Sequence, residues 1–312
     1  MARILGIDTS NYTTSVCLYD TLREEIRQEK KLLPVKDQAI GLKQSDAVFH
    51  HTVQLPERME ALALDGPVDA IGVSTRPRSV KGSYMPCFLV GEGTARSLAA
   101  ATHAPLFRFS HQDGHVMAAL YSSGSMELLE GRFLAFHVSG GTTEALLVTP
   151  QGDGFHCECV AKTLDLNAGQ VIDRVGVMLG LSFPAGRGLD ALASECPEEF
   201  RVRPAMKGFD CCLSGLQNQC EKRFSQGESR QAVAKYCLCY VAAALEEMTA
   251  GLLQQYGPLP LLYAGGVMSN SYIRARFIKR FGARFADPAF SSDNAAGIAL
   301  LAARAFSRKN PS

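Results

Sequence analysis

The order of strand-like and helix-like segments runs twice along the chain, and this repeat constrains the fold more than any other feature. Strands are predicted from short apolar or alternating runs and helices from an apolar period near 3.6. The first half has strands and helices at residues 3–8, 15–19, 26–33, 45–64, 70–74, 91–102 and 105–109, and a helix at residues 112–121 connects it to the second half. The second half has them at residues 133–138, 144–149, 156–161, 168–181, 230–256, 261–264, 270–281 and 293–307. Both halves therefore contain the order strand-strand-strand-helix-strand-helix.

Strands that alternate with helices predict an α/β architecture. In both halves a polar turn joins the first two strands, at residues 8–11 and 139–143. Two such domains that face each other would bring both turns to one cleft. That layout resembles the actin, Hsp70 and sugar-kinase superfamily, in which paired turns hold nucleotide phosphates. We therefore predict an actin-like ATPase fold with two lobes, residues 1–109 plus 288–312 and residues 110–287.

Composition narrows the class of protein. The chain has 312 residues, of which 46% are hydrophobic, so it is long enough for two cores. A net charge of +1 excludes a generally basic, histone-like surface, although a local basic patch stays possible. No apolar run reaches the roughly 18 residues of a spanning helix, and no secretory signal is recognisable.

The ten cysteines include no Cys-x-x-Cys pair. We expect buried free thiols and a cytoplasmic protein without membrane contact.

Three glycine-rich turns in the second half suggest an anion site. They are Ser139–Thr142, Gly265–Gly266 before Asn270, and Phe183–Gly188 before Asp190. Glycine allows backbone N–H groups to approach a phosphate closely. A single Ser-Gly-Gly is as well explained by an ordinary hairpin turn. Three such turns, each after a core element, favour a ligand site.

Two histidines four residues apart, His111 and His115, suggest a metal site. On a helix this spacing puts both imidazoles on one face. An isolated pair of this kind is more often a surface feature, and a third ligand must come from elsewhere. Asp293, at the start of a predicted helix, is the candidate, and two histidines with one carboxylate suit Fe or Zn. The adjacent His50 and His51 have the wrong spacing for one helix face.

Taken together, these motifs resemble the universal tRNA threonylcarbamoyladenosine synthase subunit family, once labelled O-sialoglycoprotein endopeptidase. The resemblance covers nearly the whole chain, and its specificity lies in the order and spacing of the motifs. The matching segments are Ile4–Ser10, His111–His115, Val138–Thr142, Gly169–Asp173, Pro184–Gly186, Leu213–Leu216, Gly265–Asn270 and Ser292–Ala296.

The resemblance implies a function. It implies transfer of the threonylcarbamoyl group from threonylcarbamoyl-adenylate to an adenine next to the tRNA anticodon, which makes the chain an acyltransferase. It implies one divalent metal ion (Fe or Zn, with Mg possible) on His111, His115 and Asp293. It implies an adenine nucleotide, threonylcarbamoyl-AMP or ATP, as substrate. The residues that match the family's nucleotide site are His137, Val138, Ser139, Gly140, Gly141, Asp173, Gly186, Asp190 and Asn270. No catalytic residue is assigned.

The chain departs from the family pattern at several positions. Asn11–Thr14 replaces Cys-Asp-Glu-Thr, Thr142 replaces a histidine, and Arg76–Ser79 replaces Gly-Pro-Gly-Leu. The alternative hypothesis is therefore a divergent nucleotide-binding paralogue on the same fold. It would be a non-catalytic subunit, or a carbamoyltransferase or kinase with another acceptor, and a kinase would use a carboxylate such as Asp8 as base.

The transferase hypothesis also implies partners. A tRNA substrate needs a basic surface, and the candidates for it are Arg76, Arg78, Lys81, Arg274, Arg276, Lys279 and Arg280. The resemblance implies partner subunits of the threonylcarbamoyladenosine pathway, including a paralogous actin-like subunit.

Overall fold

The chain divides into two units, each with its own five-stranded sheet. A computed structural model of the protein describes residues 2–10, 12–34, 42–290 and 295–310. The first unit comprises residues 1–126, 150–157 and 290–312, and the second comprises residues 127–149 and 158–289. These unit boundaries differ from the lobe boundaries that the sequence predicts after residues 109 and 287. The division into lobes at residues 109 and 287 stays a prediction.

The first unit is built on a five-stranded sheet with helices around it. Its strands are β1 (Arg3–Ser10), β2 (Thr13–Asp20), β3 (Glu25–Leu32), β4 (Ala70–Arg76) and β5 (Leu106–Ser110). Its helices are α1 (Gln44–Leu62), α2 (Phe88–Thr102), α3 (His111–Ser122) and α9 (Ala296–Lys309). The strand order is β3-β2-β1-β4-β5, with β1 antiparallel to β2 and parallel to β4, and β4 parallel to β5.

Burial of the central strands explains this sheet. Ile4, Leu5 and Ile7 of β1 are fully buried, and Leu5 and Ile7 pack with Ile71 and Val73 of β4. Each such side chain contributes about 1.5–3 kcal/mol when it is removed from water. Because β1, β4 and β5 run parallel, their carboxyl ends share one edge of the sheet, and α3 begins directly after β5 at that edge.

The second unit repeats this topology. Its main sheet contains β6 (Phe133–Val138), β7 (Thr143–Gln151), β8 (Gly154–Lys162), β11 (Leu261–Ala264) and β12 (Arg284–Phe285), although residues 150–157, where β7 ends and β8 begins, are grouped with the first unit. The order is β12-β11-β6-β7-β8, with β6 antiparallel to β7 and parallel to β11, and β11 parallel to β12, so the strand order of the first sheet recurs. The predicted α/β repeat is confirmed.

The second unit also contains elements that the sequence pattern did not indicate. Its helices are α4 (Ala168–Met178), α5 (Gly186–Ser194), α6 (Ser214–Ser225), α7 (Arg230–Tyr256) and α8 (Ser271–Phe281), and a small hairpin joins β9 (Ala205–Lys207) to β10 (Asp210–Cys212). The region between residues 182 and 229, for which no element was predicted, holds α5, β9, β10 and α6. The ten cysteines, all of which lie within the described residues, form no disulfide, and seven of them are buried, as expected.

Helix α7 is the core helix of the second unit. Its 27 residues are long and apolar enough to cross a membrane, which the sequence inspection did not expect of any segment. However, 78% of its most apolar window is buried inside the protein, as in the core helix of a soluble protein. Tyr263 of β11 stacks with Phe136 and Phe285 in the same core.

Candidate functional site

The histidine pair lies at the start of α3, where a capping box determines the first helical residue. The Ser110 hydroxyl accepts the Asp113 N–H at 3.1 Å, and the Asp113 carboxylate accepts the Ser110 N–H at 3.1 Å. His111 therefore begins the helix, and His115 follows one turn later. The two ring centroids are 4.3 Å apart, and the two Nε2 atoms are 2.9 Å apart. The structure thus brings together the two imidazoles that the spacing predicted.

A third side chain of this cluster, Asp8, comes from the end of β1. Its Oδ1 atom lies 3.2 Å from Nδ1 of His111, and the hydroxyl of Ser74 on β4 donates to the same oxygen. Asp8 is fully buried, and the side chain of His111 is 19% exposed. The sequence analysis considered Asp8 only as the base of a kinase. Its position at the carboxyl end of a buried strand could have linked it to residues that follow neighbouring parallel strands.

The hydrogen bond to Asp8 determines which nitrogen of His111 is available. A carboxylate only accepts hydrogen bonds, so Nδ1 of His111 carries the proton that is donated to it. The lone pair of the neutral ring then lies on Nε2, which faces His115. Two nitrogen ligands of one transition-metal ion, each about 2.1 Å from it, are separated by about 3–3.4 Å. The observed 2.9 Å between the Nε2 atoms is close to that separation, so the two donors fit a shared cation.

The third predicted metal ligand, Asp293, lies outside the described residues. Within residues 2–10, 12–34, 42–290 and 295–310, no three His, Cys, Asp or Glu side chains form a group that could hold a metal ion. The metal site predicted on His111, His115 and Asp293 therefore stays a prediction.

Asp113 lies on α3 between the two histidines, but its carboxylate accepts hydrogen bonds from Ser110 and Ser79. Its Oδ2 accepts from Ser110 and, at 2.9 Å, from the hydroxyl of Ser79. Burial raises the pKa of this carboxyl above its usual value, although the hydrogen bonds from Ser110 and Ser79 oppose the shift. Asp113 therefore ties the 76–83 segment to the start of α3.

In the second unit, the Ser139–Thr142 turn is internally hydrogen-bonded. Ser139 N–H donates to the Thr142 carbonyl at 2.7 Å. The N–H groups of Gly141 and Thr142 lie 3.3 Å and 3.1 Å from the Ser139 hydroxyl oxygen. An anion at this turn would compete with that hydroxyl for two backbone donors. The Ser139 carbonyl accepts from Gly169 N–H at 3.1 Å and so joins the turn to the start of α4.

Three other predicted nucleotide-binding side chains join neighbouring segments of the same unit. Asp173 accepts from the Ala185 N–H at 2.8 Å, next to Gly186. Asp190 accepts from both the N–H and the hydroxyl of Ser271 at 2.9 Å. Asn270 caps α8 by accepting the Ile273 N–H at 3.1 Å.

The predicted residues of the second unit therefore form a connected set, from the Ser139 turn through α4 and α5 to the start of α8. His137 and Val138 end β6, directly before that turn. Gly265 comes close to the same strand end, because a Cβ at this position would lie 2.3 Å from the Val138 carbonyl oxygen. Their role in binding a nucleotide stays a prediction.

A cavity of about 230 Å³ lies beside this set. Its lining residues are Asp190, Ala193, Ser194, Lys235, Ser271 and Tyr272. The Lys235 ammonium forms an ion pair with Glu199 at 2.9 Å and lies 4.0 Å from the centre of the Tyr272 ring. Sequence reasoning missed Lys235, because it stands within an apolar helix pattern.

Solved structures with the same topology define the class of this protein. Full-length HypF in its phosphate- and nucleotide-bound form superposes with a TM-score of 0.61 at 13% identity, covering 100% of this chain and 56% of HypF. The (R)-2-hydroxyglutaryl-CoA dehydratase component A of Acidaminococcus fermentans has a TM-score of 0.56 at 16% identity, with 97% and 98% of the two chains covered. The chain has the actin-like ATPase fold of these proteins, as predicted.

Sequence comparison identifies the family within that fold. The family model of TsaD, the tRNA N6-adenosine threonylcarbamoyltransferase, matches residues 45–300. The tRNA N6-adenosine threonylcarbamoyltransferases of two Streptococcus suis strains, 05ZYH33 and 98HAH33, are each 28% identical over 325 aligned residues. These alignments cover 98% of this chain and 93% of the relatives. The chain belongs to the TsaD family, whose named members are acyltransferases that modify tRNA. The predicted family membership is confirmed.

Proposed function

We propose that the chain transfers the threonylcarbamoyl group from threonylcarbamoyl-adenylate to the exocyclic amine of an adenine next to the tRNA anticodon, with one bound divalent metal ion. Family membership supports the reaction class. The observation that carries the proposal for this chain is the convergence of His111 and His115, whose Nε2 atoms are 2.9 Å apart on the first turns of α3.

The reaction replaces one bond to the carbonyl carbon by another. The amine nitrogen of adenine forms a bond to the carbamoyl carbon, the bond from that carbon to the phosphate oxygen breaks, AMP leaves, and the amine loses one proton. Iron or zinc on His111, His115 and Asp293 would polarise the carbonyl and orient the leaving phosphate. The protein's own contribution is to hold the two imidazole Nε2 atoms 2.9 Å apart before substrate binds.

The second unit contributes the nucleotide site in this proposal. The turn at Ser139–Gly141, with Asp173, Gly186, Asp190 and Asn270, holds the AMP part of the substrate. Both oxygens of Asp190 already accept from Ser271, but each carboxylate oxygen has a second lone pair. Asp190 can therefore accept a ribose hydroxyl without giving up its contact with α8.

The proposed tRNA surface is smaller than the basic residues of the sequence suggested. Arg276 and Arg280 both form ion pairs with the buried Glu246, at 2.6 Å and 2.9 Å. Lys81 and Lys279 are exposed side chains and the better candidates for phosphate contacts. We propose that the protein works in the cytoplasm with partner subunits of the pathway, including a paralogous actin-like subunit. Affinity for tRNA should then fall steeply with salt, and an affinity that stays constant between low and moderate salt would contradict it.

The direct test is transfer by the purified protein, alone and with pathway partner subunits. Threonylcarbamoyl-adenylate and unmodified tRNA are the substrates, and the modified nucleoside is measured by mass spectrometry after digestion. The expected result is product with the wild-type chain and none with His111→Ala or His115→Ala. His156→Ala, which changes an exposed histidine, serves as the control and should retain the activity. Equal product from all four proteins would refute a role for the histidine pair.

The alternative of a nucleotide-binding paralogue has an observation in its favour. Thr13, which stands where the family has an acidic residue, is 4% exposed and pairs with Ser10 across β1 and β2. That position thus presents a buried hydroxyl rather than a carboxylate. A non-catalytic subunit would bind an adenine nucleotide and give no product with any partner. A kinase or carbamoyltransferase with another acceptor would retain its activity in the double variant His111→Ala/His115→Ala only if it does not use the metal.

A further inference from the structure

We propose that Asp8 is the positioning residue of the metal site: it fixes the tautomer and the orientation of His111 through a hydrogen bond to Nδ1. This inference rests on the proposed function, because it assigns a partner to a histidine that the proposed metal site uses. It concerns a residue of β1 that does not itself touch the proposed ion.

Two contacts of Asp8 favour one arrangement of the His111 ring. Its Oδ1 lies 3.2 Å from His111 Nδ1, and Ser74 donates to the same oxygen from the neighbouring parallel strand. Asp8, Ser74 and His111 stand at the carboxyl ends of β1, β4 and β5, so the sheet itself sets their separation. With Nδ1 protonated by this contact, the Nε2 lone pair of His111 points to His115.

A buried anion behind a ligating imidazole changes the properties of that ligand. Asp8 is 0% exposed, so its interaction with His111 is poorly screened by solvent. A carboxylate that accepts from the second nitrogen of a metal-bound histidine raises the basicity of the ligating nitrogen and prevents the ring from turning. In this arrangement the site has a preorganised ligand before the ion binds.

The competing explanation is that the contact between Asp8 and His111 only stabilises the junction of β1 and α3. A purely structural hydrogen bond would change the free energy of unfolding without changing the affinity or the spectrum of a bound ion. Metal affinity and stability must therefore be measured on the same variants, with a control that loses a buried hydrogen bond elsewhere.

Thr249→Val is a suitable control. The Thr249 hydroxyl is 2.6 Å from the Tyr263 hydroxyl in the core of the second unit, and both side chains are fully buried. The variant loses the buried hydrogen bonds of this hydroxyl with Tyr263 and with the Leu245 carbonyl, so it perturbs the core at least as much as Asp8→Asn does, but it changes no residue of the first unit.

The experiment titrates the purified full chain with Co²⁺, which accepts nitrogen and oxygen ligands and absorbs visible light when bound. Wild type, Asp8→Asn, Ser74→Ala and Thr249→Val are compared, and each unfolding midpoint is measured by circular dichroism. We expect Asp8→Asn to weaken Co²⁺ binding about 10- to 100-fold and to shift its absorption bands. Thr249→Val should keep the wild-type affinity and spectrum despite its lower midpoint.

The outcomes separate this inference from the function on which it rests. An Asp8→Asn affinity within twofold of wild type would overturn the role of Asp8 and leave the metal site standing. No Co²⁺ absorption in the wild type would overturn both. If Asp8→Asn does not fold, Ser74→Ala provides the test, because it removes the hydroxyl that donates to Asp8 and holds the carboxylate in place. A loss of Co²⁺ affinity of at least about threefold supports the positioning role of Asp8. An unchanged Co²⁺ affinity refutes that role.

Discussion

Gly114 on α3 and Gly297 on α9 bring two helices of the first unit into backbone contact. A Cβ on Gly297 would lie 1.8 Å from the carbonyl oxygen of Gly114, and a Cβ on Gly114 would lie 2.9 Å from the Ile298 side chain. Gly114 stands between His111 and His115, so the position of the histidine pair depends on how closely α9 can approach.

Replacing Gly297 by alanine should therefore destabilise the first unit and disturb its site. The added methyl group cannot fit unless α9 moves away from α3, and we expect a loss of about 3 kcal/mol in the free energy of unfolding. Denaturant unfolding followed by circular dichroism measures this change. Gly93→Ala on α2 is the control, because a Cβ there has nothing within 4 Å and should stabilise the helix by up to about 1 kcal/mol. Equal stabilities of the two variants would contradict the close contact.

Gly265 and Gly257 form a matched pair that separates backbone strain from steric overlap. Both have backbone angles that only glycine adopts readily, with φ values of +100° and +89°. A Cβ on Gly265 would lie 2.3 Å from the Val138 carbonyl oxygen, whereas one on Gly257 has nothing within 4 Å. We expect Gly257→Ala to cost about 1–3 kcal/mol through strain alone, and Gly265→Ala to cost about 1–3 kcal/mol more. Chemical denaturation would reveal the difference, and identical losses would exclude the overlap.

The fold was largely predictable because its strands are buried runs in a repeated order. The central strands β1 and β6 and their partners were found within a few residues. Helix α6 was missed because only Leu216 and Cys220 of its twelve residues are buried, so it has almost no apolar period. Glycine is unfavourable inside a helix, and Gly114 is needed in α3 because of a close contact with Gly297, 183 positions away, which no local pattern can show.

The candidate site was predictable only in part, for a similar reason. Helical spacing alone predicted that His111 and His115 meet. The contact of Asp8 with His111 depends on the parallel register of β1, β4 and β5, which brings residues 103 positions apart together. Likewise, the hydrogen bonds from Ser271 to Asp190 could not be predicted from the sequence, because they join the start of α8 to the middle of α5 in the folded unit.

The buried carboxylate of Glu246 should contribute measurably to the stability of the second unit. It accepts two hydrogen bonds from Arg276, at 2.6 Å and 2.8 Å, and an ion-pair contact from Arg280 at 2.9 Å. Glu246→Gln leaves two neighbouring cations without their shared anion, and we expect a loss of about 2 kcal/mol, since both arginines are partly exposed. Urea titration measures the free energy of unfolding of both variants. Glu247→Gln, at the exposed neighbouring position, should stay within about 0.5 kcal/mol of the wild-type value. A similar loss in both variants would show that the ion pairs contribute nothing specific.

His51 should make the first unit less stable in mild acid. It is fully buried against the Thr14 hydroxyl, which lies 2.8 Å from Nδ1, and burial lowers the pKa of the ring below its ordinary value of 6.5. In the unfolded chain the ring accepts a proton near pH 6.5, whereas the folded chain resists protonation until a lower pH. Below pH 6.5 the unfolded state therefore binds more protons, so stability is complete above that pH and falls as the pH drops toward the folded pKa, by up to about 1.4 kcal/mol per pH unit.

Unfolding free energies measured between pH 7.5 and about 5 should show a shallower decline in His51→Gln than in wild type or in His156→Gln, the exposed control. A decline of equal slope in all three proteins would show that His51 does not drive the acid sensitivity.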